Sequence, residues 1–525
     1  MVATNPYLDQ IRVNLPRILA LFDNDGTSSS YGLGDRYYWA WGLIDFANGT
    51  FQGAAHGMAR LWQAGLWPYQ TPEEYFHARL DAMFEAAKRL TRKDGSLEEA
   101  FPREGSYCVT ALVAYDLLCA NDLLREKILQ DRAQRWIAII APMVNYLIKA
   151  EETHAFISNH LATAVATLLR WHRLTGDTGA ERKALIQLDK ILSHQSTEGW
   201  FKEYEGADPG YQSLCTYYLA DVHLQRPDLR LLVPLRRSIR FLWHFAHPDG
   251  SFGGLYGSRC TRFYYPAGVK ALAKEIPEAA ALTTFMANSI AQQKVVTLSA
   301  MDEPNLIPMF NAYAWAASLA EEEQTMHKTD SSALILPCQD QRQMRKQYPQ
   351  AGLWLDRGPT HYTIVSTLKG GVAYHFHQDH PPLINAGVVV RNAQGRLGST
   401  QAFNARNIVH QQGEQLEITS QITTMPKQLP GPVQFIFLRL LSLTAFRSAI
   451  VREWVKRRLA KMLITRRKFM PIKNKRSINF GAELKIKDQT ATASGYRVVV
   501  NTGVFVPIHM ASQGYWQMQD EKGSE

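Results

Sequence analysis

The chain has 525 residues, with 58 Lys and Arg against 48 Asp and Glu for a net charge of +10; 46% of residues are hydrophobic and 11% aromatic. That length exceeds one ordinary domain, and that apolar content excludes wholesale disorder, collagen-like and coiled-coil architectures. The 5 cysteines (Cys108, Cys119, Cys215, Cys260, Cys338) are dispersed without a CxxC pair, which argues against a disulfide framework or a cysteine zinc site and fits a reducing compartment.

Residues 1–34 read as an N-terminal extension. They show no basic region followed by an apolar core and a small-residue cleavage site, so a cytoplasmic location is expected. Within them ILALFDNDGT (Ile18–Thr27) resembles the first motif of haloacid-dehalogenase-like phosphatases, where two aspartates reach Mg²⁺. A helical array follows it instead of alternating strands and helices. The segment therefore reads as a polar turn in which Asp23 and Asp25 cap backbone groups.

From residue 35 to 325, apolar residues recur at spacings of three and four, the period of helices. Helix starts recur roughly every fifty residues, near Gly53, Ser106, Asn159, Asp208 and Pro266, each with room for a second helix before the next. Helical hairpins in this phase predict an α/α toroid whose phased helices form the inner ring, with their N-termini at one end. A plain helical array is the alternative. The longest apolar stretch, Trp136 to Ile148, is broken by Pro142 and Asn145 and is too short to span a bilayer.

Residues 326–350 lose the periodicity and read as a linker. From 351 to 525, stretches such as HYTIVSTLKGGVAYHFH and NIVHQQGEQLEITSQITT alternate and are punctuated by turns, which predicts an antiparallel β-sandwich. A basic insertion at 435–476 interrupts it: thirteen Lys and Arg against Glu453 alone lie between Arg439 and Arg476, so the positive excess of the whole chain sits there. Apolar and cationic residues alternate in it at helical spacing. Two readings stand: an interfacial helix on an anionic membrane, peripheral on the inner membrane face, or an amphipathic insertion packing on the sandwich. Nucleic acid is not an expected partner, because no other basic surface supports it.

Several side chains suit chemistry. Asn159 and His160 stand where an inner helix begins, with Ser158 or Asn159 as its cap. The partial positive charge there favours an anion and also a neutral imidazole, the form a general base needs. Further on, Asp208 suits an N-cap, Pro209 the first helical position, and Tyr211 the first turn, where a phenol can protonate a leaving oxygen. The same rim is expected to carry Gln52, His56, Arg103, Tyr107, Arg259 and Arg262 as substrate-binding residues, since guanidinium groups suit a carboxylated ligand. In the β half, His375, His377 and Asp379 alternate and so share one strand face, where they could ligate a structural zinc or serve a cleft.

This combination looks like the heparinase II/III-like polysaccharide lyases and their alginate lyase relatives: a helical toroid, then a sandwich, with Asn159-His160 on one inner helix, Gly199-Trp200-Phe201 and Tyr211 about fifty residues on, and His375-Phe376-His377-Gln378-Asp379. The resemblance implies that Asn159 helps neutralise a uronate carboxylate, while His160 and Tyr211 abstract and return protons. It also implies that a sandwich histidine, His375 or more specifically His377, closes the cleft, and that no cofactor is required. The implied function is β-elimination on a uronate-containing acidic polysaccharide; the expected cytoplasmic location and the basic insertion suggest a link to synthesis or turnover of a surface polysaccharide. Three rivals remain: a uronyl C5-epimerase, a glycoside hydrolase using Glu203, Glu205, Asp208 or Asp116, and a non-catalytic scaffold that binds polysaccharide.

Overall fold

The computed structural model describes residues 5–153, 155–325, 334–425, 431–460, 468–491 and 495–499. Its helical half contains α1 (Pro6–Leu19), the single turn α2 (Arg36–Trp39), α3 (Ala54–Gln63), α4 (Glu73–Leu90), α5 (Tyr107–Leu124), α6 (Gln130–Lys149), α7 (Ser158–Thr175), α8 (Thr178–Ser193), α9 (Pro209–Gln225), α10 (Leu232–Leu242), α11 (Pro266–Ala271), α12 (Pro277–Ala291) and α13 (Glu303–Thr325). Among the described residues α3 packs on α5, and the series continues through α7, α9, α11 and α13, which returns to α3. This closes the ring that the phase predicts.

Sequence dictates which helix lies inside. α5 and α9 are apolar or small nearly all round and are buried on every side, whereas α10 buries only Leu235, Ser238, Ile239, Phe241 and Leu242. Each phased start opens an inner helix: Gly53 precedes α3, Ser106 and Asp208 cap α5 and α9, Ser158 opens α7, and Pro266 opens α11. Near one end of the ring Arg170 on α7 joins Asp221 on α9 and Asp122 on α5, each at 2.6 Å. All three residues lie toward the C-termini of their helices, so the N-termini gather at the other end.

The extension is not separate from the toroid. α1 packs on α12 and α13, and Asn5 both caps it and donates to the Ala317 carbonyl at 3.0 Å. The polar turn behaves as read: Asp23 accepts from the Asp25 N–H at 3.0 Å and Asp25 from the Thr27 N–H at 2.9 Å.

In the second half, β1 (Met344–Tyr348), β2 (Leu353–Arg357), β3 (His361–Ser366), β4 (Val372–His377) and β5 (His380–Asn385) form one antiparallel sheet in sequence order. β1 thus falls inside the predicted linker. The second sheet contains β6 (Val389–Asn392), β7 (Leu397–Ser399), β8 (Ile408–Gln412), β9 (Gln415–Thr424), β10 (Phe469–Asn479), β11 (Lys485–Thr490) and β12 (Tyr496–Val499). The first sheet is shared between two cores. Tyr362, Ile364, Val372, Tyr374 and Phe376 join the apolar core of the toroid, while Val365 and Ala373 meet Leu416, Ile418 and Ile478 of the second sheet.

Between β9 and β10 run α14 (Pro432–Leu443) and α15 (Ala449–Ala460). The predicted basic insertion 435–476 therefore ends in a strand, because β10 begins at Phe469 and pairs with both β9 and β11. The two helices and the turn between them contact the toroid, whereas one reading expects the sandwich. Arg439 pairs with Asp45 at 2.9 Å, the Phe446 ring meets Phe101, Arg452 approaches Asp94, and Glu453 accepts from Thr153.

Candidate active site

A short segment around Glu203 lies along the entrance to α7. The Ser158 N–H donates to the Lys202 carbonyl at 3.1 Å and the Tyr204 N–H to the Phe156 carbonyl at 3.1 Å. Ile157 occupies the N-cap position and offers no side-chain acceptor, so neither Ser158 nor Asn159 caps the helix. Glu203 serves instead. Its carboxylate accepts from the Asn159 backbone N–H at 3.1 Å and from Asn159 Nδ2 at 2.9 Å. Burial pushes the Glu203 carboxyl up to about 7, against the opposing pull of His160 and the two Asn159 bonds.

His160 follows in the first turn, with Nδ1 2.7 Å from Glu152 Oε2. The sequence reading expects a neutral ring here, and the structure reverses it. Burial and the helix N-terminus disfavour imidazolium, but Cys108 and the Glu152 carboxylate beside the ring favour it more strongly, and the pKa is raised well above its ordinary value. Glu152 fixes Nδ1, Nε2 is the second proton site, and the Cys108 side chain hydrogen-bonds to the same ring.

α9 begins as expected: Asp208 accepts from the Tyr211 N–H at 3.2 Å and Pro209 fills the first helical position. Asp208 also accepts from the Arg259 N–H at 2.8 Å and from the Thr261 hydroxyl, which ties the next loop to this helix start. Tyr211 packs edge-on against Phe263. Burial raises its phenol, opposed by Arg259 and reinforced by Asp208 and Glu203. It therefore stays protonated at neutral pH. The Arg259 guanidinium lies 4.5 Å over the Tyr204 ring, in range of a cation–π contact. Tyr107 opens α5 with its hydroxyl buried and without a hydrogen-bond partner among the described residues; burial and then Glu152 raise its pKa.

The other four expected rim residues make different contacts. Gln52 is a buried brace: its Oε1 accepts from the Gly34 N–H at 2.8 Å, and its Nε2 donates to the Gly32 and Met83 carbonyls. With its amide so engaged, it has no free group for substrate. His56 is buried inside the ring, 2.9 Å from Asp116, where burial holds the imidazole low and the carboxyl high, so the pair shares one proton. Arg103 lines a cavity of about 810 Å³ between the toroid and α14, together with Arg92, Lys93, Arg439, Arg447 and Arg452. Arg262 lies at the seam with the sandwich, hydrogen-bonded to Tyr374.

The sandwich histidines need the clearest correction. Strand alternation turns Tyr374 and Phe376 toward the toroid, where the Tyr374 hydroxyl accepts from the Leu255 N–H at 3.0 Å and Phe376 stacks on His247 at 4.7 Å. His375 therefore faces away from it. His375 is engaged at both nitrogens, by Thr363 at 2.7 Å and by the Ala482 carbonyl at 3.1 Å. His377 stacks on His375 and His380 and lines a cavity of about 870 Å³ bounded by 247–250, α12 and 334–341, which includes neither His160 nor Tyr211. The trio does not converge on a metal: among the described residues no group of three or more His, Cys, Asp or Glu could hold one.

What the sandwich brings to the rim is different. The Lys369 ammonium donates to the Gly257 carbonyl at 3.0 Å and lies 2.7 Å from Cys260 Sγ, while Phe403 packs so closely on Gly206 that a Cβ there would meet its ring at 2.6 Å. Sequence reasoning missed both, and it missed Glu152. An acid just ahead of a helix start was the available signal.

No protein-family model and no curated protein matches the chain. Among solved structures, the chondroitin AC lyase of Streptomyces coelicolor A3 aligns with 91% of this chain and 66% of its own, at 10% identity and TM-score 0.50. Heparinase III aligns with 92% of this chain and 77% of its own, at 9% identity and TM-score 0.44. A Paenibacillus xanthan lyase aligns over 80% of this chain at 10% identity and TM-score 0.46, and this chain spans 44% of that lyase's length. At such identity the likeness to the chondroitin AC lyase is one of fold: this chain is an α/α toroid followed by an antiparallel β-sandwich.

Proposed function

We propose that this chain is a polysaccharide lyase-like enzyme that acts on a uronate-containing acidic polysaccharide by β-elimination, in the synthesis or turnover of a surface polysaccharide. The observation that carries the reading is the gathering of Asn159 and His160 with Tyr211 at the N-terminal ends of neighbouring inner helices, with Arg259 beside Tyr211. Elimination needs a base at C5, an acid at the leaving oxygen and donors for the carboxylate between them. His160, held at Nδ1 by Glu152, takes the C5 proton at Nε2. Asn159 has a second amide N–H beyond the one given to Glu203, and it donates with Arg259 to the uronate carboxylate, where charge grows as the proton leaves. The C4–O bond breaks, the C4–C5 double bond forms, and Tyr211 gives its proton to the departing oxygen.

The raised pKa values set a pH window. His160 must be neutral to act as base, so the rate rises as pH climbs through a value above the ordinary histidine range. Tyr211 must be protonated to act as acid, and burial keeps it so past the ordinary tyrosine value. The expected profile is alkaline, with its acid limb shifted down in pH by Glu152→Gln.

The hydrolase reading is less supported. Asp208 is occupied by the N–H groups of Tyr211 and Arg259 and by Thr261, and Asp116 by His56 inside the ring. Incubation with a panel of uronate polysaccharides, followed by ultraviolet absorbance, tests the proposal: a conjugated unsaturated uronate at the new chain end is expected. Solvent deuterium at C5 without chain shortening would instead make the protein an epimerase, and binding without either would make it a scaffold.

A further inference from the structure

α14 and α15 dock on the toroid by one side only. On α14 Val433, Ile436, Phe437, Leu440 and Leu443 follow helical spacing on a single stripe, and Val433, Ile436 and Phe437 are 76%, 61% and 61% exposed. Ser442 is buried on the opposite side, Arg439 flanks the stripe beside Ile436 and Leu443 and pairs with Asp45, and Phe435 adds an exposed ring outside the stripe. On α15 Ile450 and Trp454 are 83% and 58% exposed, one turn apart, and Arg457 and Arg458 follow on the same side, with Arg458 over the Trp454 ring at 5.1 Å. Contiguous apolar side chains on this scale are not left to water without an occupant.

Charge selects the occupant. The segment that forms the two helices, residues 432–460, holds six cations (Arg439, Arg447, Arg452, Lys456, Arg457 and Arg458) and one acid (Glu453), so two copies of this face would bring like charges together. An anionic lipid surface complements both properties, the apolar stripe entering the headgroup boundary and the cations meeting the lipid phosphates. α14 has 12 residues, far short of the ~20 that cross a bilayer, so it would lie in the surface plane. The Tyr107–Leu124 helix, long and apolar enough to cross, is 83% buried in the ring and is a core element.

We infer that the exposed stripe of α14, with Ile450 and Trp454 of α15, is a docking surface for an anionic lipid bilayer. The insertion rests on the loops leading into α3, α5 and α7, so docking would hold the end of the ring that carries Asn159 and His160 near the membrane. The inference does not depend on the chemistry proposed for that end.

The test is flotation of the full chain with phosphatidylcholine vesicles, with and without phosphatidylglycerol, at low and high salt. Binding that requires the anionic lipid, weakens with salt and falls at least tenfold in the Ile436→Glu/Phe437→Glu double variant is the expected result. Both positions are exposed, so the variant should fold, and unchanged circular dichroism would show it. Absence of binding, equal binding to both vesicle types, or binding retained by the double variant would overturn the inference. So would self-association of the parent chain that the double variant abolishes, which would assign the face to a second copy, or protease shielding of the stripe that is lost on removing residues 500–525, which would assign it to this chain.

Discussion

Two regions of this molecule carry histidines beside acidic residues, and they are built on opposite logic. At the ring end, helix starts set the arrangement: Asn159 and His160 open α7, Tyr211 opens α9, and Glu203 and Glu152 are bonded to the first pair. On β4, His375 and His377 alternate with Tyr374 and Phe376, and the larger apolar pair takes the side facing the toroid. A helix start places a side chain by local capping, wherever the rest of the chain goes. A strand places it by parity, and only the partner surface decides which parity is inside. Motif spacing alone could not distinguish the two.

That difference can be tested from either side. The largest effect is expected at the ring end, where His160→Ala and Tyr211→Phe should each lower turnover by about 10² to 10⁴ with no change in cooperative unfolding. Phe376→Ala should cost about 3–5 kcal/mol in urea unfolding, because its ring is buried against His247 between the domains. Tyr374→Phe should cost about 1–3 kcal/mol, since the buried Leu255 N–H loses its acceptor. The smallest effect belongs to His377→Ala, which should stay within about 0.5 kcal/mol in stability and leave turnover nearly unchanged.

Much of the toroid was legible because its signals are local. Asp208-Pro209 reads as a helix start without knowledge of what the helix packs on, and the spacing of Ser106, Asn159 and Pro266 then implies a ring. The rest is non-local. β1 lies in a stretch, MRKQY, whose alternation of exposed and half-buried residues makes sense only once it pairs with β2. β10 is equally hidden in a run of lysines, since its inward residues Met470, Ile472, Asn474 and Arg476 include two polar ones: Arg476 is buried against Asp488 at 2.6 Å and Asn474 bonds the same carboxylate. Gln52 and His56 followed the helical phase correctly but lie too deep for a rim, a matter of depth along the ring that the phase does not encode.

The most direct measurement is the appearance of unsaturated uronate, followed in parallel for the parent chain and its His160→Ala, Tyr211→Phe and His377→Ala variants on one turned-over polysaccharide. Product from the parent and from His377→Ala, with none from the other two, is the predicted pattern. Loss of product in His377→Ala with activity kept in His160→Ala would contradict it and return the chemistry to the sandwich strand.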